Sequence, residues 1–211
     1  MMSKIFLASD WHLVKYDKES GRSWKRPDIG IVKSNLAVVK REDSFIFLGD
    51  LQDSEIEDKE VIKEVLNVLP KETQKILIRG NNDCFGDQAY LDMGFDEVLW
   101  ALPIRFRGLN ILLSHTSVNV ANTSWYNVHG HIHRPGVNVF DIPYYHDPHR
   151  CHNICNHRTN NADIYDIEEI VFKLKHITKW GTMITGKTEK PGMSQLCQHM
   201  AEDVLRKEMM K

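Results

Sequence analysis

Four short apolar runs punctuate the first half of the chain, at Lys4–Ser9, Ser44–Leu48, Lys75–Ile78 and Asn110–Leu113. Each is rich in Ile, Leu or Phe, and each stops abruptly in polar residues. Their apolarity is continuous rather than alternating, which predicts strands covered on both faces, as in a sheet flanked by helices. Between them lie segments with helical spacing. Pro27–Lys40 carries Ile31, Leu36 and Val39, with Pro27 suited to a first turn. Glu55–Leu69 sets Ile56, Val61, Ile62, Val65, Leu66 and Leu69 against a charged face, and Pro70 follows its end. This alternation of strand and helix predicts an α/β fold.

After Phe95 the pattern tightens into closely spaced strands, at Glu97–Trp100, Pro103–Arg107, Asn110–Leu113, Trp125–His129 and Gly136–Phe140. Arg107-Gly108-Leu109-Asn110 reads as a hairpin turn between two of them. The predicted architecture is a mixed β-sheet or two-sheet sandwich flanked by helices, in a single domain spanning residues 1–211. Residues 141–161 are polar and aperiodic and read as a loop insertion. Asp166–Lys175 suits helix or strand. Met193–Met210 reads as a terminal helix, within a C-terminal extension that starts at about residue 179.

Composition narrows the function classes. Lys and Arg number 27 against 29 Asp and Glu, a net charge of −2, so the chain lacks the basic footprint of a dedicated nucleic-acid binder. No apolar run approaches the ~20 residues needed to span a bilayer. The first run is too short for a signal peptide and is cut off by Asp10. Four cysteines, Cys84, Cys151, Cys155 and Cys197, form no regular framework and predict thiols in a reducing cytoplasm. Histidine is the outlier: eight of the eleven fall between His115 and His157.

Candidate chemistry sits in the polar residues directly after each apolar run. Asp10-Trp11-His12 ends the first, Gly49-Asp50 with Asp53 the second, and Gly80-Asn81-Asn82-Asp83 the third. His115 ends the fourth, and Trp125–His129 leads into Gly130-His131-Ile132-His133. Strand ends converge on one edge of an α/β sheet, where such folds place their sites. Taken singly, each fragment has an ordinary explanation as a helix cap, a turn or a hydrogen-bonded core histidine. Five fragments in order, four of them directly after buried-strand patterns, point to one shared site.

Together they resemble the calcineurin-like metallophosphoesterase superfamily, over roughly residues 3–140. Arg26-Pro27 after a basic loop is also loosely similar to a small bacterial and phage branch of it. The resemblance implies a four-layered α-β-β-α fold and a phosphoesterase acting through a water between two divalent cations. It also implies the ligands. Asp10, His12, Asp50 and His133 hold one metal, and Asp50 is shared with a second completed by Asn81, His115 and His131. Mixed carboxylate, amide and imidazole ligation suits Mn²⁺ first, with Fe or Zn²⁺ as alternatives. Asp53 reads as a helix cap or as support for a ligand.

One position departs from the family motif. The usual sequence is Gly-Asn-His followed by Asp or Glu, with the His beside the phosphate, and here that position is Asn82. An amide donates a hydrogen bond to a phosphoryl oxygen but delivers no proton at neutral pH. With Asn82 and Asp83 as the catalytic candidates, the expected substrate is a diester, in a small molecule or nucleotide. Two other functions stay open: a catalytically weak scaffold of the same fold, or a nuclease, against which the absent basic face counts.

The remaining candidates carry less. Lys15, Lys18, Arg22, Lys25 and Arg26 are a phosphate-attracting loop or a solvated one, and Arg79 and Arg134 are further phosphate contacts to weigh. Trp11 is expected in the core or at the pocket wall. Cys151-His152-x-x-Cys155-x-His157 does not match the common structural zinc spacings and reads as part of a loop over the site.

Overall fold

The computed structural model describes residues 3–13, 27–52, 59–132, 145–146, 150–155, 162–176, 184–185 and 193–211. The elements in chain order are β1 (Ile5–Ala8), α1 (Ile29–Leu36), β2 (Ser44–Phe47), α2 (Lys59–Leu66), β3 (Gln74–Ile78) and α3 (Asp87–Met93). There follow β4 (Glu97–Leu99), β5 (Ala101–Phe106), β6 (Leu109–Ser114), β7 (Trp125–His129), β8 (Tyr145–His146) and β9 (Cys151–Asn153). The last are β10 (Tyr165–Asp166), α4 (Ile167–His176), β11 (Ile184–Thr185) and α5 (Met193–Met209).

Two sheets result. The first has strand order β10-β1-β2-β3-β4, with β1 to β4 parallel and β10 antiparallel at the edge. The second has order β5-β6-β7-β9, an antiparallel hairpin followed by two parallel pairings. Arg107 and Gly108, at φ 48° and 79°, turn that hairpin where the sequence predicts it.

Three apolar cores make four layers. Phe45, Phe47 and Leu77 face Val32 and Leu36 of α1, Val61 and Val65 of α2, and Tyr90 of α3. Leu7, Ile46, Leu48 and Ile78 of the first sheet meet Ile111, Leu113 and Val128 of the second, with Ile170 and Leu174 of α4. Leu112 and Trp125 on the far side of the second sheet pack on Ala201 and Leu205 of α5. Each central strand is thus buried on both faces, which is why its apolarity is continuous. The mixed two-sheet architecture flanked by helices is the one expected.

Three local differences have physical causes. Helix α3 escapes the periodicity argument because it has only seven residues and buries only Tyr90 and Met93. Cys151–Asn153, within the segment expected as a loop, is the strand β9, parallel to β7 in the register Asn127↔Cys151. Three residues are too few to show a period. The ambiguous Asp166–Lys175 segment is both things at once, the edge strand β10 running into α4. The expected strand Gly136–Phe140 lies outside the described residues. Among the described residues, no helix is long and apolar enough to cross a membrane.

Candidate metal centre

The carboxyl ends of five strands meet between the two sheets. β1 delivers Asp10 and His12, β2 delivers Asp50, and β3 delivers Asn81 and Asn82; from the second sheet, β6 delivers His115 and β7 His131. Asp10, His12, Asp50, His115 and His131 are all buried. Two groups of ligand atoms form, Asp10–His12–Asp50 and Asp50–His115–His131, each with its atoms within 4.8 Å of one another. Asp50 belongs to both. His133, Asp53, Arg134, His157 and the Lys15–Arg26 loop lie outside the described residues.

The backbone bends hard to achieve this. Asp10, His12, Asp50 and His131 all have positive φ, at 58°, 46°, 57° and 66°. For residues with a Cβ that conformation costs roughly 1 kcal/mol apiece. Glycines make room beside them. A Cβ on Gly49 would sit 2.6 Å from the His115 ring nitrogen and from the Gly80 amide, and one on Gly80 would strike the Asp50 carboxylate. A Cβ on Gly130 would strike Ser9 and Asp10.

Hydrogen bonds orient the ligands. His115 Nδ1 donates to the Leu48 carbonyl at 2.8 Å, which leaves Nε2 turned inward. Around that nitrogen lie Asn81 Oδ1 at 3.1 Å, His131 Nδ1 at 3.1 Å and Asp50 Oδ1 at 3.4 Å. On the other side, His12 Nε2 is 3.7 Å from Asp50 Oδ2. The His131 backbone N–H donates to both Asp10 oxygens, at 3.1 and 3.0 Å, tying the second sheet to the first. Ser9 Oγ also donates to Asp10 Oδ2.

So many lone pairs facing one another demand positive charge. Burial works against a charged His115 ring, yet the adjacent Asp50 carboxylate outweighs burial and pushes its pKa up to about 9. Burial likewise opposes ionised Asp50, and the His115 and His12 rings overcome it, holding Asp50 below the usual carboxylate range. The field and the donor types both fit divalent transition metals.

The loop after β3 is held from behind. Asp83 is buried and accepts from the backbone N–H groups of Gly80 at 2.7 Å and of Asp50 and Leu51 at 3.0 Å each. Its burial, then the Asp50 charge, push its pKa up to about 6 against the pull of those N–H groups. Arg79, a candidate phosphate contact by its place in the sequence, instead donates to the carbonyls of Asp83 and Phe85 at 2.7 Å each and pairs with Asp87. Its guanidinium lies 5.3 Å from the Trp100 ring centroid. Three commitments and a nearby aromatic ring fix it to the loop. Trp11 is fully buried against Phe45 and Phe47, a core residue. Cys151 and Cys155 are buried in and beside β9, and among the described residues they join no group of ligand atoms.

Sequence reasoning missed Ser9, Arg79's clamp and Asp83's part in joining two loops. The polar side chains are visible in the sequence, but which backbone group each one meets is not.

A family model described as calcineurin-like phosphoesterase matches residues 3–196. No curated protein shows a significant match. Among solved structures, a protein of unknown function from Aquifex aeolicus is 22% identical, with a TM-score of 0.58 over 81% of this chain and 98% of its own. The nuclease MPE of Pseudomonas putida is 18% identical over 61% of either chain, with a TM-score of 0.40. A protein described as a novel archaeal phosphodiesterase is 16% identical over 77% of this chain and 98% of its own, with a TM-score of 0.41. The Aquifex protein shares the fold; the activities named for the other two belong to those proteins.

Proposed function

We propose that this chain, which belongs to the calcineurin-like phosphoesterase family, hydrolyses phosphate esters at a two-metal site and prefers diesters. The observation that carries the reading is the position of Asp50. It is the one carboxylate common to both buried groups of ligand atoms. Asp10, His12 and Asp50, with His133, would hold one cation; Asp50, Asn81, His115 and His131 would hold the other. Mn²⁺ is the first candidate, and Fe or Zn²⁺ would suit the same donors. When bound, such a pair lowers the pKa of a water and neutralises charge on the phosphoryl oxygens.

The chain's own residues supply order. The Leu48 carbonyl selects the His115 tautomer whose Nε2 faces inward. The His131 N–H and Ser9 Oγ hold the Asp10 carboxylate. Trp11, between Asp10 and His12 in the chain, packs against Phe45 and Phe47 and so anchors the segment that carries both.

Preference for diesters follows from proton supply. When water adds to phosphorus, the bond to the leaving oxygen breaks and that oxygen must gain a proton or be a stable anion. Asn82 offers none. An activated aryl ester tolerates this best, and a diester better than an alkyl monoester, whose looser transition state puts more charge on the leaving oxygen. The four cysteines are all thiols, which fits the expected reducing cytoplasm.

The test is hydrolysis of bis(p-nitrophenyl) phosphate and of alkyl and aryl monoesters by Mn²⁺-loaded protein, with metal content measured in parallel. The expected result is stoichiometric metal and a faster diester reaction. Far faster monoester cleavage would overturn the preference, and bound metal without turnover on any ester would favour a scaffold.

A further inference from the structure

We propose that Asn82 is a positioning residue that fixes the plane of the Asp50 carboxylate. This rests on the two-metal reading of the site. The backbone N–H of Asn82 donates to Asp50 Oδ1 at 2.9 Å, and its side-chain Nδ2 donates to Asp50 Oδ2 at 2.7 Å. One residue therefore clasps both oxygens of one carboxylate.

A carboxylate oxygen has two lone-pair directions. Each oxygen of Asp50 accepts one hydrogen bond from the clasp, which leaves it capacity for a further contact. Beyond Oδ1 lies His115 Nε2 at 3.4 Å, and beyond Oδ2 lies His12 Nε2 at 3.7 Å. Oδ1 thus faces the His115 side of the site and Oδ2 the His12 side. Rotation of the carboxylate about its Cβ–Cγ bond would break both hydrogen bonds.

The clasp is itself held rigid. Asp83, the next residue, binds the Asp50 and Leu51 amides with its carboxylate while Arg79 binds its carbonyl. Asn82 therefore cannot retreat from Asp50 without dragging that whole corner. A side chain committed in this way acts on the ligand and not on the leaving group, which gives the departure from the family motif a purpose of its own.

The experiment titrates the full-length, metal-free protein with Mn²⁺ by calorimetry, comparing the native chain with Asn82→Ala, and measures kcat and KM for bis(p-nitrophenyl) phosphate across Mn²⁺ concentrations. Asn82 is half-buried, and far-UV circular dichroism checks that the variant keeps the fold. We expect Mn²⁺ affinity to fall by ~10–100-fold, the usual loss when a partner of a metal ligand is removed. KM is expected to stay unchanged, and kcat to recover at saturating Mn²⁺. Native-like Mn²⁺ affinity with a raised KM would overturn the proposal and make Asn82 a phosphate contact. Failure of the native chain itself to bind Mn²⁺ would overturn the two-metal reading and this inference with it.

Discussion

The two ends of the first sheet both gather carboxylates, but they use them differently. At the amino ends of β1 and β2, a cavity of 720 Å³ is bordered by Lys4, Asp43 and Asp166, with Phe6 and Val38 in its wall. There Asp43 accepts from the Lys4 and Lys40 amides at 2.8 Å each, while Asp166 pairs with the Lys4 ammonium at 2.7 Å and caps the Glu168 amide. Each of these carboxylates meets donors. At the carboxyl ends, Asp50 also meets amide donors, but its remaining faces look onto imidazole nitrogens that share the pocket with the Asn81 oxygen. A carboxylate surrounded by N–H groups holds a fold together. One that also faces imidazole nitrogens and an amide oxygen has the company of a metal ligand.

Exchanging the two carboxylates for alanine should separate the ends most sharply. Asp50→Ala is expected to lower kcat/KM by roughly 10³-fold or more, as removing a member of a catalytic unit does, and to abolish stoichiometric metal. Asp43→Ala is expected to cost about 1–3 kcal/mol in urea unfolding, for its orphaned amides, with the turnover of the folded protein unchanged. Equal loss of metal in both variants would erase the distinction.

The glycines give the next largest contrast. Gly80→Ala forces a methyl onto the Asp50 carboxylate, whereas a methyl at Gly86 meets nothing within 4 Å. Overpacking of this kind costs about 1–3 kcal/mol, so Gly80→Ala should lose both thermal stability and Mn²⁺ binding. Gly86→Ala should melt within about 0.5 kcal/mol of the native chain.

Arg79→Lys sharpens the site end alone. A lysine cannot span two carbonyls and Asp87 with one planar fork. Melting temperature and Mn²⁺ affinity are therefore expected to fall while KM for a diester holds. A raised KM at native metal affinity would return Arg79 to the phosphate.

The smallest effect is one of depth. Cys84 is exposed on the site loop, whereas burial, with lesser contributions from Asp50 and Asp83, pushes the Cys197 thiol up to about 12. Iodoacetamide at pH 8, read by mass spectrometry, should label Cys84 in the folded protein and reach Cys197 only after denaturation. Labelling of Cys197 in the folded chain would show that α5 leaves the second sheet.

Much of this was legible in the sequence, and the reason differs from element to element. β1, β2, β3 and β6 announce themselves because strands buried on two faces need unbroken apolar residues. Asp10, Asp50, His115 and His131 are visible because each closely trails such a run. α3 and β9 are too short to show a period, and their place comes from packing against neighbours. His133 and Asp53, foreseen beside the site, lie outside the described residues.

Local pattern alone determined the strand–helix alternation and singled out the polar residues at the strand ends, because apolar runs and their polar ends are properties of neighbours in the chain; it left a single mixed sheet and a two-sheet sandwich both open. Partnership required the tertiary structure. Only the folded sheets bring Asp50 between His12 and His115 and lay Asn82 across both oxygens of one carboxylate, because those contacts join residues about 30 to 70 positions apart, where no sequence period reaches.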